Sequence, residues 1–404
     1  MYDVNKLSRR NFLSTGAKVL GGISLFGVPN LAFASTGKIR LGLIGCGQRG
    51  TGISSILSKI EGIDLTACCD ISRAALDNIK KYAAKGAKFY KNYSDLLADK
   101  NIDGVIIATP LYMHYKMSVD ALDAKKHVYV EKTMTYSIDE AIKLAKKVRS
   151  ANLVLQVGHQ YRYYQMYHKI KEILSEGWIG DITHFESQYN RNSDWRRPVN
   201  PGESERAVNW RMYKEYSGGL LAELCAHQID IVNWMLDSHP KKVVGLGGID
   251  FWKDGRETYD NVRTIYEYEK GIKSSVTSVL SNQYHSYEMK ILGSKATIEV
   301  RRDQAFIYSE PVKKNLGVVD GVTGATIESL KAAGGKEIEY KSTDGLNLDP
   351  TAYALIAFAD CIRGNKRPIS NVDTGKETAI AVHMGNRAVE TAEVQLWDDK
   401  WNSN

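Results

Sequence analysis

The residue types with the clearest capacity for chemistry are concentrated in three short segments of the 404-residue chain. The first, residues 45–50, reads Gly-Cys-Gly-Gln-Arg-Gly and so has the spacing G-x-G-x-x-G. The second contains Lys132 directly after an apolar run, and the third contains Glu223 and His227 four residues apart. Glycines at this spacing let a backbone approach phosphate groups, while lysine, glutamate and histidine transfer protons or stabilise charge. Together these segments indicate a reaction carried out beside a bound nucleotide.

The glycine loop has the sequence context that a dinucleotide-binding turn requires. It follows an apolar run at residues 39–44 that predicts a buried strand, and it precedes residues 53–60, which predict a helix. Asp70 ends the next predicted strand, 20 residues beyond Gly50, where a carboxylate can bind an adenosine ribose. A glycine-rich turn with a capping aspartate is the alternative. We therefore predict a nicotinamide dinucleotide held by Gly45, Cys46, Gly47, Gln48, Arg49 and Gly50.

The residues around Asp70 leave the choice between NAD and NADP open. A carboxylate at Asp70 repels a 2′-phosphate and so favours NAD. Ser72 and Arg73 follow directly, however, and both are residue types that can bind that phosphate. NAD is therefore the expected cofactor, NADP is the alternative, and all three side chains are assigned to the predicted site.

The elements that must position these residues follow from the apolar pattern. From residue 38 to about residue 156, short apolar runs alternate with amphipathic stretches, and Ser137 with Glu140 forms a capping box. This alternation predicts an α/β fold with a doubly wound parallel (Rossmann) sheet at residues 36–156. Residues 157–404 contain longer alternating runs and turn signals, which predict an α+β domain with an open, mostly antiparallel sheet. A helix near residues 374–394 is expected to pack back on the assembly.

Further polar residues follow predicted strands, at the sheet edge where ligands bind in such folds. Residues 104–108 and 128–130 each predict one of these strands. Burying a lysine directly after a buried strand costs free energy unless its side chain reaches a cleft or an ion-pair partner. For Lys132 the sequence alone is consistent with both. The predicted cofactor contacts in this region are Thr109, Pro110, His114, Glu131, Lys132 and Gln160.

Three motifs together resemble one known family. They are Ala-Thr-Pro-x-x-x-His at residues 108–114, Glu-Lys-Thr at residues 131–133, and Gly-Gly-Leu-Leu-Ala-Glu-Leu-Cys-Ala-His-Gln-Ile-Asp at residues 218–230. With them, the chain resembles the glucose–fructose oxidoreductase / inositol dehydrogenase / MocA superfamily over residues 38–300. The resemblance implies a dinucleotide-binding domain and an open-sheet domain whose face covers the nicotinamide.

The resemblance also implies roles for three residues, although the motifs depart from the family at three positions. Thr133 stands where the family has proline, and Glu223 and Cys225 stand for Asp and Gly in its Asp-x-Gly-x-His segment. By this correspondence Lys132 orients the substrate oxygen and stabilises developing negative charge. His227 exchanges the hydroxyl proton, and Glu223, which the i,i+4 spacing puts on the same helical face, orients it or acts as a second acid–base group.

Aromatic and polar residues in the second domain predict a sugar pocket. Aromatic rings stack on the apolar faces of pyranose rings, while arginine binds hydroxyl groups. Core packing or solvent-facing charge is the alternative for these positions. The predicted substrate contacts are Tyr161, Trp195, Arg196, Arg211 and His227.

Residues 1–34 predict a twin-arginine export signal. Ser-Arg-Arg-Asn-Phe-Leu at residues 8–13 precedes an apolar stretch at residues 17–31, and Ala-Phe-Ala supplies a cleavage pattern at residues 32–34. An uncleaved amphipathic arm is the alternative. We expect recognition by the twin-arginine export machinery and a periplasmic or exported location. Because that machinery exports folded proteins, the cofactor is expected to travel tightly bound and to be recycled.

Composition narrows the classes of partner. The formal charge is +7, and the lysines and arginines are scattered, so we expect no nucleic-acid partner. The five cysteines have no regular spacing and form no Cys/His cluster, so we expect neither a disulfide framework nor a metal site. The open face of the second sheet, as in relatives, predicts a homo-oligomer.

These observations favour an NAD(P)-dependent oxidoreductase that acts on a ring hydroxyl, with C3 expected, of a sugar or glycoside. The alternative is an NAD-dependent glycosidase of the family 109 type, because glycoside hydrolase family 109 shares the superfamily that the chain resembles. Such enzymes oxidise C3, which acidifies the C2 proton, and then cleave the glycosidic bond by elimination and water addition. A non-catalytic sugar sensor is a third hypothesis, against which the joint presence of Lys132, Glu223 and His227 argues.

Overall fold

The computed structural model describes residues 37–199, 201–310, 318–319, 322–323, 334–340 and 348–402. The predicted export signal lies outside these described residues. Within them, no helix is both long enough and apolar enough to cross a membrane.

A parallel sheet organises the first domain and confirms the predicted doubly wound fold. Its strands are β1 Ile39–Ile44, β2 Ile63–Cys69, β3 Lys88–Tyr90, β4 Gly104–Ile107, β5 His127–Val130 and β6 Leu155–Val157. They lie in the order β3-β2-β1-β4-β5-β6, and every neighbouring pair is parallel. The direction of the strand order reverses between β1 and β4, which makes the carboxyl ends of these two strands the expected ligand crevice.

Helices cover both faces of this sheet. They are α1 Gln48–Leu57, α2 Arg73–Ile79, α3 Tyr93–Ala98, α4 His114–Asp123 and α5 Ile138–Ser150. The predicted capping box begins α5, because Ser137 Oγ accepts a hydrogen bond from the backbone N–H of Glu140. The predicted start of α1 at residue 53 is wrong. The helix begins at Gln48, since its first turn consists of glycine-loop residues that carry no apolar periodicity.

A mixed, mostly antiparallel sheet organises the second domain. Its strands are β7 Ile182–Tyr189, β8 Lys242–Gly248, β9 Asn261–Glu267, β10 Lys273–Val279, β11 Tyr287–Gly293, β12 Ala296–Val300, β13 Ala305–Ser309, β16 Lys336–Glu337 and β17 Gln395–Leu396. Among the described residues these strands lie in the order β16-β13-β12-β11-β7-β10-β9-β8-β17, and β7 with β10 is the parallel pair. A separate hairpin consists of β14 Val318–Val319 and β15 Val322–Thr323.

The remaining helices lie in the part of the chain that follows β6. They are α6 Gln165–Ser175, α7 Glu205–Val208, a π-helix at Leu221–Cys225 that continues into α8 Ala226–Leu236, α9 Pro350–Gly364 and α10 Val372–Thr391. Helices α6, α8 and α10 pack on one face of the second sheet. Helix α9, which the sequence did not predict, belongs instead to the core of the first domain, where Phe358 packs against Tyr129 of β5. The chain after residue 157 therefore contributes to both domains.

Candidate active site

The predicted cofactor residues lie in a row along the carboxyl edge of the parallel sheet. In spatial order the edge carries Asp70 after β2, the glycine loop after β1, Thr109 after β4, Lys132 after β5 and Gln160 after β6. Adjacent strands are about 4.8 Å apart, so the four steps from β2 to β6 span about 19 Å. The strand order, rather than the order along the chain, therefore creates one elongated site.

The three glycines of the loop have different physical roles. Gly45 has a φ of +95°, and a Cβ on it would lie 2.6 Å from the carbonyl oxygen of Ala108. A Cβ on Gly50 would lie 2.0 Å from the carbonyl oxygen of Gly45, so α1 could not pack this closely on the turn. A Cβ on Gly47 would meet nothing within 4 Å among the described residues. Gly45 and Gly50 thus allow the turn to form, and Gly47 keeps its surface open to a ligand.

The first turn of α1 is suited to bind a phosphate. Gly47 is the N-cap of this helix and offers no side-chain cap, so the backbone N–H groups of the first turn are directed into the open space beside Gly47. The side chain of Cys46 is buried in the first-domain core and takes no part in this surface. The loop therefore fits the pyrophosphate of a dinucleotide.

Asp70 is fixed against the glycine loop by two backbone hydrogen bonds. Its Oδ2 accepts from the N–H of Cys46 at 2.7 Å, and its Oδ1 accepts from the N–H of Ser72 at 2.8 Å. Each carboxylate oxygen has a second lone pair, so Asp70 can still accept from ribose hydroxyls. Ser72 Oγ donates to Glu203 at 3.3 Å, while Arg73 is exposed and pairs with Asp77 at 3.3 Å.

Arg49 and Glu131, both predicted as cofactor contacts, form an ion pair with each other. Glu131 Oε1 lies 2.8 Å from Nε and 2.8 Å from Nη2 of Arg49. Arg49 Nη1 also donates to Thr351 Oγ1 at 3.3 Å. Glu131 is buried. The pair connects the glycine loop, the end of β5 and the first turn of α9, and so positions the loop.

His114 connects the loops that follow β4 and β5. Its Nδ1 lies 2.8 Å from the carbonyl oxygen of Thr133, and its Nε2 lies 3.0 Å from that of Thr109. Burial lowers the pKa of this fully enclosed histidine. Both ring nitrogens face protein carbonyls, so His114 holds these two loops together rather than contacting the cofactor through its ring nitrogens. The peptide bond between Lys132 and Thr133 is cis.

Lys132 reaches from the first domain into the second. Its Nζ donates to the carbonyl oxygens of Ala222 at 3.1 Å and Glu223 at 2.6 Å, both in the π-helix. Thr133 Oγ1 also donates to Ala222 at 3.1 Å, so the hydroxyl at this unusual position binds the same segment. Burial lowers the pKa of Lys132, an effect that the negative charges of Glu223 and Glu131 oppose. The lysine therefore lies between the two domains, in the region called here the cleft, where its charge is sensitive to neighbouring groups.

The helix expected to carry Glu223 and His227 is present, but residues 221–225 form a π-helix and α8 begins at Ala226. Glu223 Oε2 accepts from Arg211 Nε at 2.9 Å, whereas His227 packs against Tyr161 with ring centroids 5.0 Å apart. The two side chains therefore contact different groups, although they follow one another on the same helix.

His227 is enclosed and has the properties of a proton acceptor. Its Nδ1 is buried and has no hydrogen-bond partner among the described residues. Burial lowers its pKa well below 6.5, and the positive charge of Lys132 lowers it further. His159, which the sequence analysis did not select, is also buried, and neither ring nitrogen makes a hydrogen bond in the described structure, although Nδ1 lies 3.8 Å from Asp230 Oδ2. Burial lowers the pKa of His159 to about 4. Both imidazoles are therefore neutral at pH 7.

The predicted substrate residues do not all converge. Tyr161 contacts His227, and Arg211 binds the carboxylate of Glu223, so these residues belong to the same cleft as Lys132. Trp195 is half-buried and packs on the core of the second domain. Arg196 is exposed, and its guanidinium binds Glu205 at 2.9 Å and the carbonyl oxygen of Asp254 at 2.7 Å. Its donors are thus directed at the second domain itself.

Arg197, the neighbour of Arg196, was missed by the sequence analysis. Its Nη2 donates to Gln48 Oε1, at the first residue of α1, with a separation of 2.6 Å. The second of the two adjacent arginines, rather than the first, is the one that faces the cofactor loop. The two adjacent arginines could have indicated a cofactor contact from the sequence. Which of the two side chains faces the glycine loop depends on the path of the chain between the domains.

No cluster of three or more His, Cys, Asp or Glu side chains suited to a metal ion occurs in the described part of the chain. Gln160 Oε1 is buried without a partner there, as expected for a group that meets a ligand at this edge. The open surface at Gly47, the uncapped helix and the carboxylate of Asp70 fit a dinucleotide.

Two family models match the chain. The first, described as the oxidoreductase family with an NAD-binding Rossmann fold, matches residues 39–159. The second, described as the GFO/IDH/MocA C-terminal domain, matches residues 167–299. The matched segments coincide with the parallel sheet and with the greater part of the second sheet.

Known proteins resemble the chain at modest identity. A scyllo-inositol 2-dehydrogenase (NAD(+)) from Bacillus subtilis (strain 168) is 23% identical and is matched over 89% of this chain and 96% of its own length. A glycosyl hydrolase family 109 protein from Shewanella baltica (strain OS185) is 25% identical over 52% of this chain and 51% of its own length. The solved structure of levoglucosan dehydrogenase with NADH and levoglucosan has a TM-score of 0.72 at 17% identity, over 89% of this chain and 99% of that one, a likeness that shows the fold. The chain spans about half the length of two curated relatives, both uncharacterised oxidoreductases, since the matches cover 53% and 58% of those proteins.

Proposed function

This chain belongs to the GFO/IDH/MocA family of oxidoreductases, and we propose that it moves a hydride between a ring carbon of a sugar or glycoside and a bound nicotinamide dinucleotide. One observation carries the proposal. Lys132, at the end of β5, extends along the same sheet edge as the open glycine loop and binds the π-helix that precedes His227. A charge-stabilising group and a neutral base are thus combined beside a surface that fits the cofactor.

The proton chemistry follows from the state of these side chains. Oxidising a secondary alcohol breaks a C–H bond and an O–H bond and forms a carbonyl group; the cofactor, when bound, accepts the hydride. Two acceptors occupy the Lys132 ammonium among the described residues, and its third N–H bond can donate to the substrate oxygen. His227 is neutral and can take the hydroxyl proton. Arg211 holds the carboxylate of Glu223 and so orients it.

We propose NAD rather than NADP as the cofactor. The carboxylate of Asp70 ends β2, and Glu203 contacts Ser72 two residues later, so two negative charges face the region where a 2′-phosphate would bind. Arg73, the residue that could favour NADP, is exposed and pairs with Asp77. Repulsion between carboxylates and a phosphate dianion supports NAD.

The expected substrate is a cyclic compound with several hydroxyl groups, oxidised at C3. The names of the similar proteins, an inositol dehydrogenase and a levoglucosan dehydrogenase, support a ring-shaped polyol. The aromatic ring of Tyr161 beside His227 supports a sugar face stacked over the cleft. The predicted twin-arginine signal supports an exported enzyme with a tightly bound, recycled cofactor, a proposal tested by fractionation after Arg9→Lys and Arg10→Lys changes.

A glycosidase of the family 109 type is the second candidate. The match to a protein of that name supports it, and the same side chains could serve it, since oxidation at C3 makes the C2 proton acidic enough for a base to remove. A sugar sensor is the third candidate. Retention of Lys132, Glu223 and His227 in one cleft argues against a sensor, because binding alone requires no proton acceptor.

We also propose a homo-oligomer formed through the open face of the second sheet. Val244 of β8 pairs with Ile265 of β9, and both are exposed, as is Leu246 two residues further along β8. Exposed apolar side chains that adjoin on a sheet indicate a surface that another protein covers. A Leu246→Asp change should lower the molecular mass measured by light scattering, and an unchanged mass would contradict the proposal.

The following experiment distinguishes the candidates. The full chain is purified, its nucleotide content is measured after denaturation, and it is incubated with free sugars, inositols, anhydrosugars and aryl glycosides. We expect a bound nicotinamide dinucleotide whose absorbance changes with a sugar or polyol. Release of free sugar from aryl glycosides, with deuterium entering at C2 in heavy water, would support the glycosidase instead. Protein that carries no nucleotide and binds none would contradict both enzymatic proposals.

A further inference from the structure

A segment of the second domain runs along the cofactor edge of the first. Residues 192–217, called here the bridging segment, leave the second sheet after β7, and residue 200 of this segment is outside the described residues. The segment contacts the residues that follow β2, β1 and β4. These contacts are the hydrogen bonds of Glu203 with Ser72 at 3.3 Å, Arg197 with Gln48 at 2.6 Å, and the Tyr216 carbonyl with the Tyr112 N–H at 3.4 Å.

Arg197 differs in its surroundings from the other arginines of the bridging segment. Arg196, Arg206 and Arg211 each form an ion pair with a glutamate. No carboxylate lies within ion-pair distance of Arg197 in the described part of the chain, where its side-chain partner is the neutral amide of Gln48. Arg197 is half-buried, and burial together with the charge of Arg211 lowers its pKa.

This arrangement is electrostatically incomplete. The guanidinium lies beside the N-terminal turn of α1, where the helix dipole is positive and the backbone N–H groups lack a side-chain cap. Placing a partly desolvated cation beside a positive helix end is unfavourable unless an anion joins them. A guanidinium has five N–H donors in a planar fork, which matches two phosphate oxygens at once.

We propose that Arg197 binds the pyrophosphate of the dinucleotide from the side opposite the glycine loop. The cofactor is then enclosed between the loop and the bridging segment and is retained through turnover. The inference rests on the proposed function, since it takes the dinucleotide as the ligand. It adds a residue of the second domain to a site otherwise built by the first.

The test is the rate at which bound nucleotide exchanges. Full-length protein is purified with its nucleotide, isotopically labelled NAD is added in excess, and release of the original nucleotide is followed by mass spectrometry. Arg197→Gln should accelerate exchange by about 10- to 100-fold, as expected for loss of a hydrogen bond to a charged group. Arg197→Lys keeps the charge but loses the fork, and should give an intermediate rate. Arg206→Gln, a change to a paired arginine of the same segment, should exchange as the wild type does.

The outcomes separate this inference from the proposed function. If Arg197→Gln still binds the dinucleotide and exchanges it at the same rate as the wild type, the role of Arg197 is overturned and the oxidoreductase proposal remains intact. Absence of any nucleotide from the wild-type protein, with no binding of added NAD, overturns both. Arg197→Gln could also lower the melting temperature of the nucleotide-free protein below that of the wild type. In that case the exchange rate of Arg197→Lys is the deciding measurement, and a rate equal to that of the wild type overturns the inference.

Discussion

At the scale of single residues, Lys132 illustrates how two domains create one reactive group. Its backbone belongs to the end of β5, while the oxygens that its Nζ binds belong to the π-helix of the second domain. Burial lowers its pKa and neighbouring carboxylates oppose that change. The ammonium is therefore held in position, and its charge is balanced by groups from both domains.

Replacing Lys132 by Met should lower turnover by about 10²- to 10⁴-fold, because the substrate oxygen loses its charged donor in the reaction. Bound nucleotide should remain near the wild-type level, since Lys132 is expected to act on the substrate. The measurement is turnover together with nucleotide content. Lys126→Met is the matched control, because Lys126 is also buried and donates to two carbonyl oxygens, but it precedes β5 and so lies at the opposite end of that strand from Lys132. Equal losses of turnover in the two variants would contradict the prediction.

Replacing Gly47 by Ala should weaken NAD binding by about tenfold or more while leaving the nucleotide-free protein as stable as the wild type. The added methyl group meets no described protein atom within 4 Å, but it occupies the space that the pyrophosphate needs. Gly52→Ala, also with no neighbour within 4 Å but further along α1, is the control and should bind NAD normally. Titration calorimetry and urea unfolding measure the two quantities. Normal NAD affinity in the Gly47 variant would argue that the pyrophosphate binds elsewhere.

At the scale of elements, helix α9 belongs to the first domain although it lies near the C-terminal end of the described chain. It follows the whole second sheet in sequence, yet its apolar face completes the core of the first domain. Thr351, in its first turn, also accepts a hydrogen bond from Arg49 of the glycine loop. The helix therefore links the fold of the cofactor domain to the C-terminal part of the chain.

Replacing Phe358 by Ala should lower the free energy of unfolding by about 3–5 kcal/mol, because the ring is fully buried and the space it leaves cannot close completely. Urea denaturation measures the change. Phe251, which is 60% exposed, offers the matched control, and Phe251→Ala should change the free energy by less than about 0.5 kcal/mol. A small effect at Phe358 would mean that α9 does not support the first domain's core.

At the scale of the whole molecule, buried histidines connect stability to pH. Burial lowers the pKa of six histidines from the ordinary 6.5, and for His159 the value is about 4. The other five are His114, His127, His168, His227 and His383. Between pH 6.5 and pH 4 the unfolded chain therefore binds protons that the folded chain does not.

The free energy of unfolding should thus be highest above pH 6.5, where these histidines are neutral in both states, and should fall as the pH decreases below 6.5. Each histidine that stays neutral contributes a slope of up to about 1.4 kcal/mol per pH unit. Urea unfolding at several pH values between 7.5 and 5, with equal nucleotide content, measures the slope. His159→Gln should reduce the slope by about one proton's share. A stability that does not change with pH over this range would refute the prediction.

The sequence alone predicted the local features that depend on neighbouring residues. Strand β1 was predicted at its observed bounds, because a continuous apolar run between turn residues defines a buried parallel strand. The capping box at Ser137 was predicted, because it needs only residues one turn apart. The family and the two-domain fold followed from three motifs and from the change in apolar pattern near residue 157.

Only the tertiary structure decided which chemical groups meet. Glu223 and His227 contact different groups, and the helix that carries them begins with a π-helix at residues 221–225 that no apolar periodicity reveals. The structure pairs Arg49 with Glu131 and directs Arg197, rather than Arg196, at the glycine loop. These contacts join residues far apart in the chain, and their geometry depends on the strand order and on how the second domain packs across the sheet edge. Local sequence determines the elements and residue types, whereas the long-range packing of those elements determines which charges are paired and which face the cleft.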